Sequence, residues 1–125
     1  MRSAVRGVDS LIVQLGRIEP NVAMRVDNIL KTKAIEIQND AKQNLVDNGS
    51  VITANLKNSI LAKKLQGRQL AYKVGTPVEY ASYVEFGTSR SRPKPYLEPA
   101  LKSHKNEIKR EIRRAVRGGI RSVRR

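Results

Sequence analysis

The chain has 125 residues, of which 39% are hydrophobic and 29% are charged, and this fits one domain with a modest core over residues 1–125. It has no cysteine, which excludes a disulfide framework and a thiolate metal site. No segment approaches the roughly 18–20 apolar residues of a membrane span, and residues 1–6 are not followed by the apolar core of a signal peptide, so we predict a soluble protein made in the cytoplasm, without membrane contact.

The formal net charge of +14 is the extreme property of the chain, and charge of this size informs about partners more than about fold. Much of it lies near the C-terminus, where five arginines recur at three- and four-residue steps: Arg110, Arg113, Arg114, Arg117 and Arg121. On a helix they would project together and meet either DNA phosphates or an acidic protein surface. The alternative is a solvated helix face that has no partner.

The N-terminal region predicts a short extended segment from residue 6 that turns into a helix. Asp9 or Ser10 would cap this helix, Leu11, Ile12 and Leu15 would form its apolar side, and Gly16 would end it.

The next segment predicts the longest helix, over residues 21–45. One apolar stripe recurs at three- and four-residue steps, through Val22, Val26, Ile29, Leu30, Ile37, Ala41 and Leu45. Four charged residues fall mostly off this stripe, namely Lys33, Glu36, Asp40 and Lys42. Residues 47–50 contain Asn48 and Gly49, which suit a helix end.

The middle of the chain predicts a helical or turn segment over 53–60 and then a β-hairpin. Its strands would cover about 60–65 and 70–75, with a turn around residues 66–68. In the second strand Leu70, Tyr72 and Val74 alternate with Ala71 and Lys73, which is typical of a half-buried strand.

The last third predicts a short helix over 78–86 that ends at Gly87, and then a polar, proline-rich linker over 88–95. A final helix would begin near Leu97, tolerate Pro99 in its first turn and run to Gly118 and Gly119. A mobile basic tail would follow over about 118–125.

Catalytic chemistry finds little support in the sequence. The only histidine, His104, shares a helical stripe with apolar neighbours, so we interpret it as a packing or interface residue without a serine partner or an orienting carboxylate. Glu79, Glu85 and Glu98 form no convincing acid pair, and no glycine-rich phosphate loop is present. We therefore predict no enzyme, no cofactor, no metal and no small-molecule substrate.

Two motifs make the chain recognisable: Tyr80-Ala81-Ser82-Tyr83-Val84-Glu85-Phe86-Gly87-Thr88 and Pro95-Tyr96-Leu97-Glu98-Pro99-Ala100-Leu101. In these motifs the chain resembles the tail-completion family of long-tailed bacteriophages, the small neck proteins that join tail to head. Weaker similarities occur at residues 5–11 and 53–60. The chain departs from the family pattern at Tyr96, where Phe is more frequent, and at Ala54, where Gly is frequent.

The resemblance implies an α+β fold, in which a small antiparallel β-sheet packs against a long helix of the N-terminal half and a C-terminal helix. It also implies a structural virion protein of the neck, assembled in the host cytoplasm as a ring, commonly sixfold, around the DNA path. The implied partners are further copies of the chain, head-closure or connector proteins, the tail tube or tail terminator protein, and DNA in the lumen.

Under this reading the motif residues divide into two sets. One set packs the motifs together: Tyr80, Val84, Phe86, Gly87, Pro95, Tyr96, Leu97, Pro99 and Leu101. The other set meets a neighbouring subunit or ring: Glu85, Thr88, Arg90, Arg92 and Lys94. The alternative function is a nucleic-acid-binding accessory protein that acts without sequence preference through its basic C-terminal helix, since no aromatic residue lies among those arginines to stack on bases.

Overall fold

The computed structural model describes residues 9–13, 20–48, 53–66 and 70–124, and gives side-chain positions for 20–48, 55–66 and 70–118. The elements in chain order are β1 (Asp9–Val13), α1 (Pro20–Asp47), α2 (Thr53–Ser59), β2 (Leu61–Lys64), β3 (Leu70–Gly75), α3 (Ala81–Phe86) and α4 (Leu97–Arg124). The fold is α+β, as predicted: α1 packs against both α4 and the sheet.

The three strands form one antiparallel sheet in the order β1-β3-β2, so that β3 is the central strand. The predicted hairpin is confirmed, with Leu61 opposite Gly75 and Lys64 opposite Tyr72, whereas residues 67–69 of its turn lie outside the described residues. The predicted segment over 53–60 is also confirmed as α2.

The helix predicted to begin at Asp9 or Ser10 is wrong, because residues 9–13 form β1. This strand pairs with the open edge of β3, from Asp9 opposite Val74 to Val13 opposite Leu70. A short apolar run is compatible with either a helix or a strand, and here the pairing with β3 decides. The other residues of that prediction, Leu15 and Gly16, lie outside the described residues.

Helix α1 confirms the predicted long helix and its apolar stripe. The stripe faces the core, where seven side chains are buried: Val22, Val26, Leu30, Ala34, Ile37, Ala41 and Leu45. Ile29 is partly buried against the same core. The helix begins at Pro20. Proline suits the first position of a helix, because the N–H that it lacks would have no hydrogen-bond partner within the helix there.

The sheet is attached to α1 by a polar contact beside the apolar core. The Tyr72 hydroxyl donates to the Asp27 carboxylate over 2.9 Å, and Lys64 Nζ lies 2.9 Å from the same oxygen. Burial and this hydrogen bond raise the pKa of Tyr72 to about 12. Burial alone would raise the pKa of Asp27, but the hydrogen bonds from Lys64 and Tyr72 outweigh it and hold that pKa below its usual value.

Helix α4 begins at Leu97 as predicted, but its predicted end at Gly118 and Gly119 is wrong, because the helix continues to Arg124. A glycine inside a helix costs about 1 kcal/mol relative to alanine. Unlike proline, glycine keeps its backbone N–H and has no ring that clashes with the preceding turn, so it does not stop a helix. The mobility of residues 118–125 stays a prediction. Within the described residues, no helix combines the length and the apolar character that crossing a bilayer requires.

Candidate functional site

The first motif folds as α3, a six-residue helix with one buried and one exposed face. Ala81 and Glu85 are four residues apart and are 0% and 4% exposed, respectively. Tyr83 and Phe86, three residues apart, are 62% and 54% exposed. The prediction that Phe86 packs inside the motif is therefore wrong, because the face that carries Ala81 and Glu85 is the one that meets the core.

Glu85 lies inside the chain, where it caps α4. Its Oε1 accepts the backbone N–H groups of Tyr96 at 3.2 Å and Leu97 at 2.9 Å, and its Oε2 accepts that of Glu98 at 3.3 Å. The next residue, Pro99, has no N–H to satisfy. Because the first turn of a helix leaves its donors unpaired and carries partial positive charge, a buried carboxylate is stabilised at this point.

The predicted place of Glu85 at a partner interface is thus corrected. The residue is a structural acid, but its partners are backbone amides of α4 rather than an arginine across an interface. The sequence does contain a signal for this role, since an acid at the end of one short helix precedes a helix start that lacks a Ser, Thr, Asp or Asn cap.

Tyr96 holds the second motif against the first. Its side chain is 0% exposed, and its hydroxyl donates to the Ala81 carbonyl over 3.4 Å. Burial, and secondarily the negative charge of Glu85, raise the pKa of this phenol above its usual range. The Asn44 side chain of α1 donates to the Tyr96 carbonyl over 2.9 Å, so this joint is also attached to the long helix.

The other residues predicted to pack the motifs divide by exposure. Leu97 is buried, and Tyr80, Val84 and Leu101 are partly buried against the core. Pro95 and Pro99 are exposed, so their predicted packing is wrong; proline is used here for its fixed backbone, before and within the first turn of α4.

Gly87 connects α3 to the following loop in a conformation that requires glycine. Its φ is 78° and its ψ is 176°, a region from which residues with a side chain are nearly excluded. A Cβ at this position would lie 2.7 Å from the Pro93 nitrogen and 2.9 Å from the Ser91 carbonyl oxygen. The loop therefore folds directly over Gly87.

The loop over residues 88–94 is fixed by hydrogen bonds although it has no regular structure. Thr88 accepts, through its hydroxyl, the N–H groups of Arg90 and Ser91, both at 3.1 Å. Its own N–H donates to the Ser91 carbonyl over 2.9 Å, and the N–H of Lys94 donates to the Val84 carbonyl over 2.8 Å. Thr88, predicted as a partner contact, thus also shapes the loop.

Three cations project from this fixed loop. Arg90, Arg92 and Lys94 are exposed, and among the described residues no carboxylate lies within ion-pair distance of them. The loop returns to α3 through the hydrogen bond from Lys94 to Val84, and we call the five exposed side chains that α3 and this loop carry the α3–loop face: Tyr83, Phe86, Arg90, Arg92 and Lys94. Withdrawal of Glu85 into the chain removes the one acid of α3 from this face.

The C-terminal arginines lie on α4 as predicted. Arg110, Arg113, Arg114 and Arg117 are exposed, and the side chain of Arg121 lies outside the described residues. Glu107 and Glu111 point towards α1 instead of joining this basic surface.

The sequence did not predict the ion cluster that receives these acids. Lys33 is buried, and its Nζ lies 2.5 Å from Glu107, 3.1 Å from Glu36 and 3.6 Å from Glu111. The hydrogen bond to Glu107 raises the pKa of Lys33 despite its burial, and the same contact lowers the pKa of Glu107. We expected Lys33 to lie off the buried stripe of α1. It is buried because it lies next to Ala34 on the side of α1 that faces α4, where Glu107 and Glu111 contact it.

His104 is held by an acid that the sequence did not suggest. Its Nε2 lies 2.6 Å from Asp40 Oδ2, so the expectation of no orienting carboxylate is wrong. The contact connects α4 to α1, as the predicted packing role requires. No group of three or more His, Asp or Glu side chains with metal-binding geometry occurs in the part of the chain that the structure describes.

A comparison with protein families places the chain in a known family. Residues 9–87, more than half of the chain, match the HK97-gp10-like family, described as "Bacteriophage HK97-gp10, putative tail-component". The matched range includes the sheet, α1 and α3 and ends at Gly87, so the loop and α4 lie beyond it. No curated protein and no solved structure matches the chain.

Proposed function

The chain belongs to the HK97-gp10-like family of bacteriophage tail components, and on that premise we propose that it is a structural assembly protein that joins the tail to the head. In this proposal it occupies the neck of the virion as a ring around the DNA path, between head-closure proteins and the tail tube or tail terminator. It has no catalytic role there.

The observation that carries the proposal is the α3–loop face. Exposed aromatic residues are enriched in protein interfaces and are costly to leave in water, which makes Tyr83 and Phe86 natural anchors for a partner. The loop beside them is already held by hydrogen bonds, so little conformational freedom is lost when a partner binds.

The positive charge of the α3–loop face favours binding to a different protein over binding to the same face of a second copy of the chain. Arg90, Arg92 and Lys94 add positive charge to a chain of net charge +14, and two such surfaces would repel each other. We infer that the α3–loop face meets an acidic surface of a neighbouring neck protein, while contacts between copies in the ring use other surfaces.

The experiment replaces the two aromatic anchors with serine, Tyr83→Ser and Phe86→Ser, in the phage that encodes the chain. Since both side chains are exposed, the purified variant should keep the thermal stability of the wild type. Filled heads and complete tails should accumulate unjoined, as counted by electron microscopy, and the variant Arg90→Ala, Arg92→Ala, Lys94→Ala should show the same defect.

The matched control is Met24→Ser with Ile35→Ser, which removes two apolar side chains of α1 that are 65% and 43% exposed and that are not part of the α3–loop face. It should leave particle assembly unchanged. Normal yields of joined, infectious particles from the Tyr83 and Phe86 variant would rule out the α3–loop face as the joining surface.

A further inference from the structure

Helix α4 has a surface that the α3–loop face does not include. The inward side of the helix carries buried apolar residues such as Leu97, Ile108 and Ala115. The outward side is charged, and six exposed cations lie along it: Lys105, Lys109, Arg110, Arg113, Arg114 and Arg117. We call this set the basic face of α4.

The acids of α4 do not neutralise its basic face. Glu107 and Glu111 bind Lys33 of α1, and Glu98 pairs with Lys102 in the first turns of the helix over 2.8 Å. Arg110 lies close enough to Glu107 to help lower the pKa of that carboxyl. For the other five cations, no described carboxylate lies within 4.0 Å.

The spacing of the cations produces a nearly continuous line of charge. Lys105, Lys109, Arg113 and Arg117 repeat every four residues, so successive positions are about 6 Å apart along the helix and the line is about 18 Å long. Duplex DNA presents one phosphate charge per about 1.7 Å of its axis, which offers several phosphates to a rod of this length.

The composition of the face distinguishes among anionic partners. Protein interfaces are built around apolar and aromatic residues, whereas every apolar side chain of residues 101–118 is buried or half-buried and none is exposed beside the cations. A membrane-surface helix also needs an exposed apolar side. Contacts to the nucleic-acid backbone need only such cations, and the absence of aromatic residues removes base stacking.

From this geometry we propose that the basic face of α4 binds the phosphate backbone of duplex DNA without sequence preference. The site is separate from the α3–loop face, and it does not depend on which proteins the chain joins. Each phosphate contact releases counterions, so binding weakens steeply as salt rises.

The test compares two variants that each remove four positive charges from the full chain, lowering the net charge from +14 to +10 (14 − 4). One variant alters the basic face: Lys109→Ala, Arg113→Ala, Arg114→Ala and Arg117→Ala. The control alters four lysines that lie outside both faces and in no ion pair among the described residues: Lys31→Ala, Lys42→Ala, Lys63→Ala and Lys73→Ala. Alanine favours helix, so α4 should persist in the first variant, and circular dichroism checks this.

Binding to a labelled 20-base-pair duplex is measured by fluorescence anisotropy between about 50 and 200 mM salt, the range in which phosphate contacts dominate the salt dependence. The basic-face variant should bind at least about tenfold more weakly, and its log–log salt slope should be shallower by roughly 3 to 4 units, near 0.9 per lost phosphate contact. The control should stay within about threefold of the wild type, because it keeps every contact of the basic face.

Three results would overturn the proposal. Equal weakening in both variants would mean that net charge alone causes binding, and an unchanged basic-face variant would mean that α4 does not bind DNA. Displacement of the duplex by poly-glutamate at equal charge concentration, as effective as displacement by unlabelled duplex, would assign the face to an acidic protein. Failure here leaves the particle-joining experiment unaffected, since neither variant alters a residue of the α3–loop face.

Discussion

At the residue scale, Glu85 connects the two motifs. Its carboxylate is the acceptor for the first backbone amides of α4, and it is buried within the same helix that exposes Tyr83 and Phe86. The motif therefore combines two functions in six residues: one face of α3 fixes where α4 begins, and the other face stays available for a partner.

Replacing Glu85 with alanine tests this role. The change leaves three amide N–H groups at the start of α4 without their acceptor, and we expect a loss of about 2–4 kcal/mol in the free energy of unfolding. Urea denaturation measures it. The exposed Glu79, replaced with alanine, is the control and should change stability by less than about 0.5 kcal/mol. A Glu85→Ala variant as stable as the control would disprove the cap.

The errors of prediction within the first motif have one physical cause. Helix α3 (Ala81–Phe86) is too short to show a clear apolar period, so the sequence did not reveal which of its faces is buried. Aromatic residues of a short helix usually lie on the face that packs against the core. Here the three donors of α4 attract the carboxylate inward, and the aromatic residues take the other face.

At the element scale, the contact between α1 and α4 depends on charge as well as on apolar packing. Lys33 lies at the centre of this contact with three carboxylates around it, and His104 meets Asp40 further along the same two helices. The cluster also orients α4, because it draws Glu107 and Glu111 to the inner side and leaves the cations outside.

Replacing Lys33 with methionine tests the cluster and its pH dependence. At pH 7 the variant should lose about 1–3 kcal/mol of stability, below the cost of breaking a fully buried ion pair because the carboxylates are partly exposed. The pKa of Glu107 is lowered in the folded protein, so its stabilising contribution is present above the usual carboxyl pKa and is lost as the pH falls through the folded value.

The stability difference between wild type and the Lys33→Met variant should therefore shrink as the pH falls from 7 to 3, which urea unfolding at several pH values measures. Lys102→Met is the control: Lys102 and its partner Glu98 are both exposed, so this variant should unfold at the same urea concentration as the wild type. A difference that is constant with pH would show that Lys33 contributes by packing alone.

The elements were predictable to different degrees. Long periodic segments predicted α1 and α4, and alternation around a turn predicted the hairpin, because these patterns follow from the geometry of helix and strand. Strand β1 was not predictable from residues 9–13, since its state depends on pairing with β3, some 60 residues away. The burial of Lys33 likewise depends on acids of α4 that are distant in sequence.

At the scale of the whole molecule, we assign different partners to two surfaces. We assign the α3–loop face, which combines aromatic side chains with positive charge, to a protein partner, and the basic face of α4, which has charge alone, to DNA. The sequence predicted the excess of charge and placed it on the final helix. It did not predict the separation into two surfaces, which follows from where Glu85, Glu107 and Glu111 point.

The most direct test of the central claim is a cryo-electron microscopy reconstruction of the neck of the phage particle. We expect this chain as a ring between head and tail, with Tyr83 and Phe86 buried against a neighbouring protein. Absence of the chain from the junction, or a ring in which both aromatic side chains remain exposed to solvent, would contradict the account.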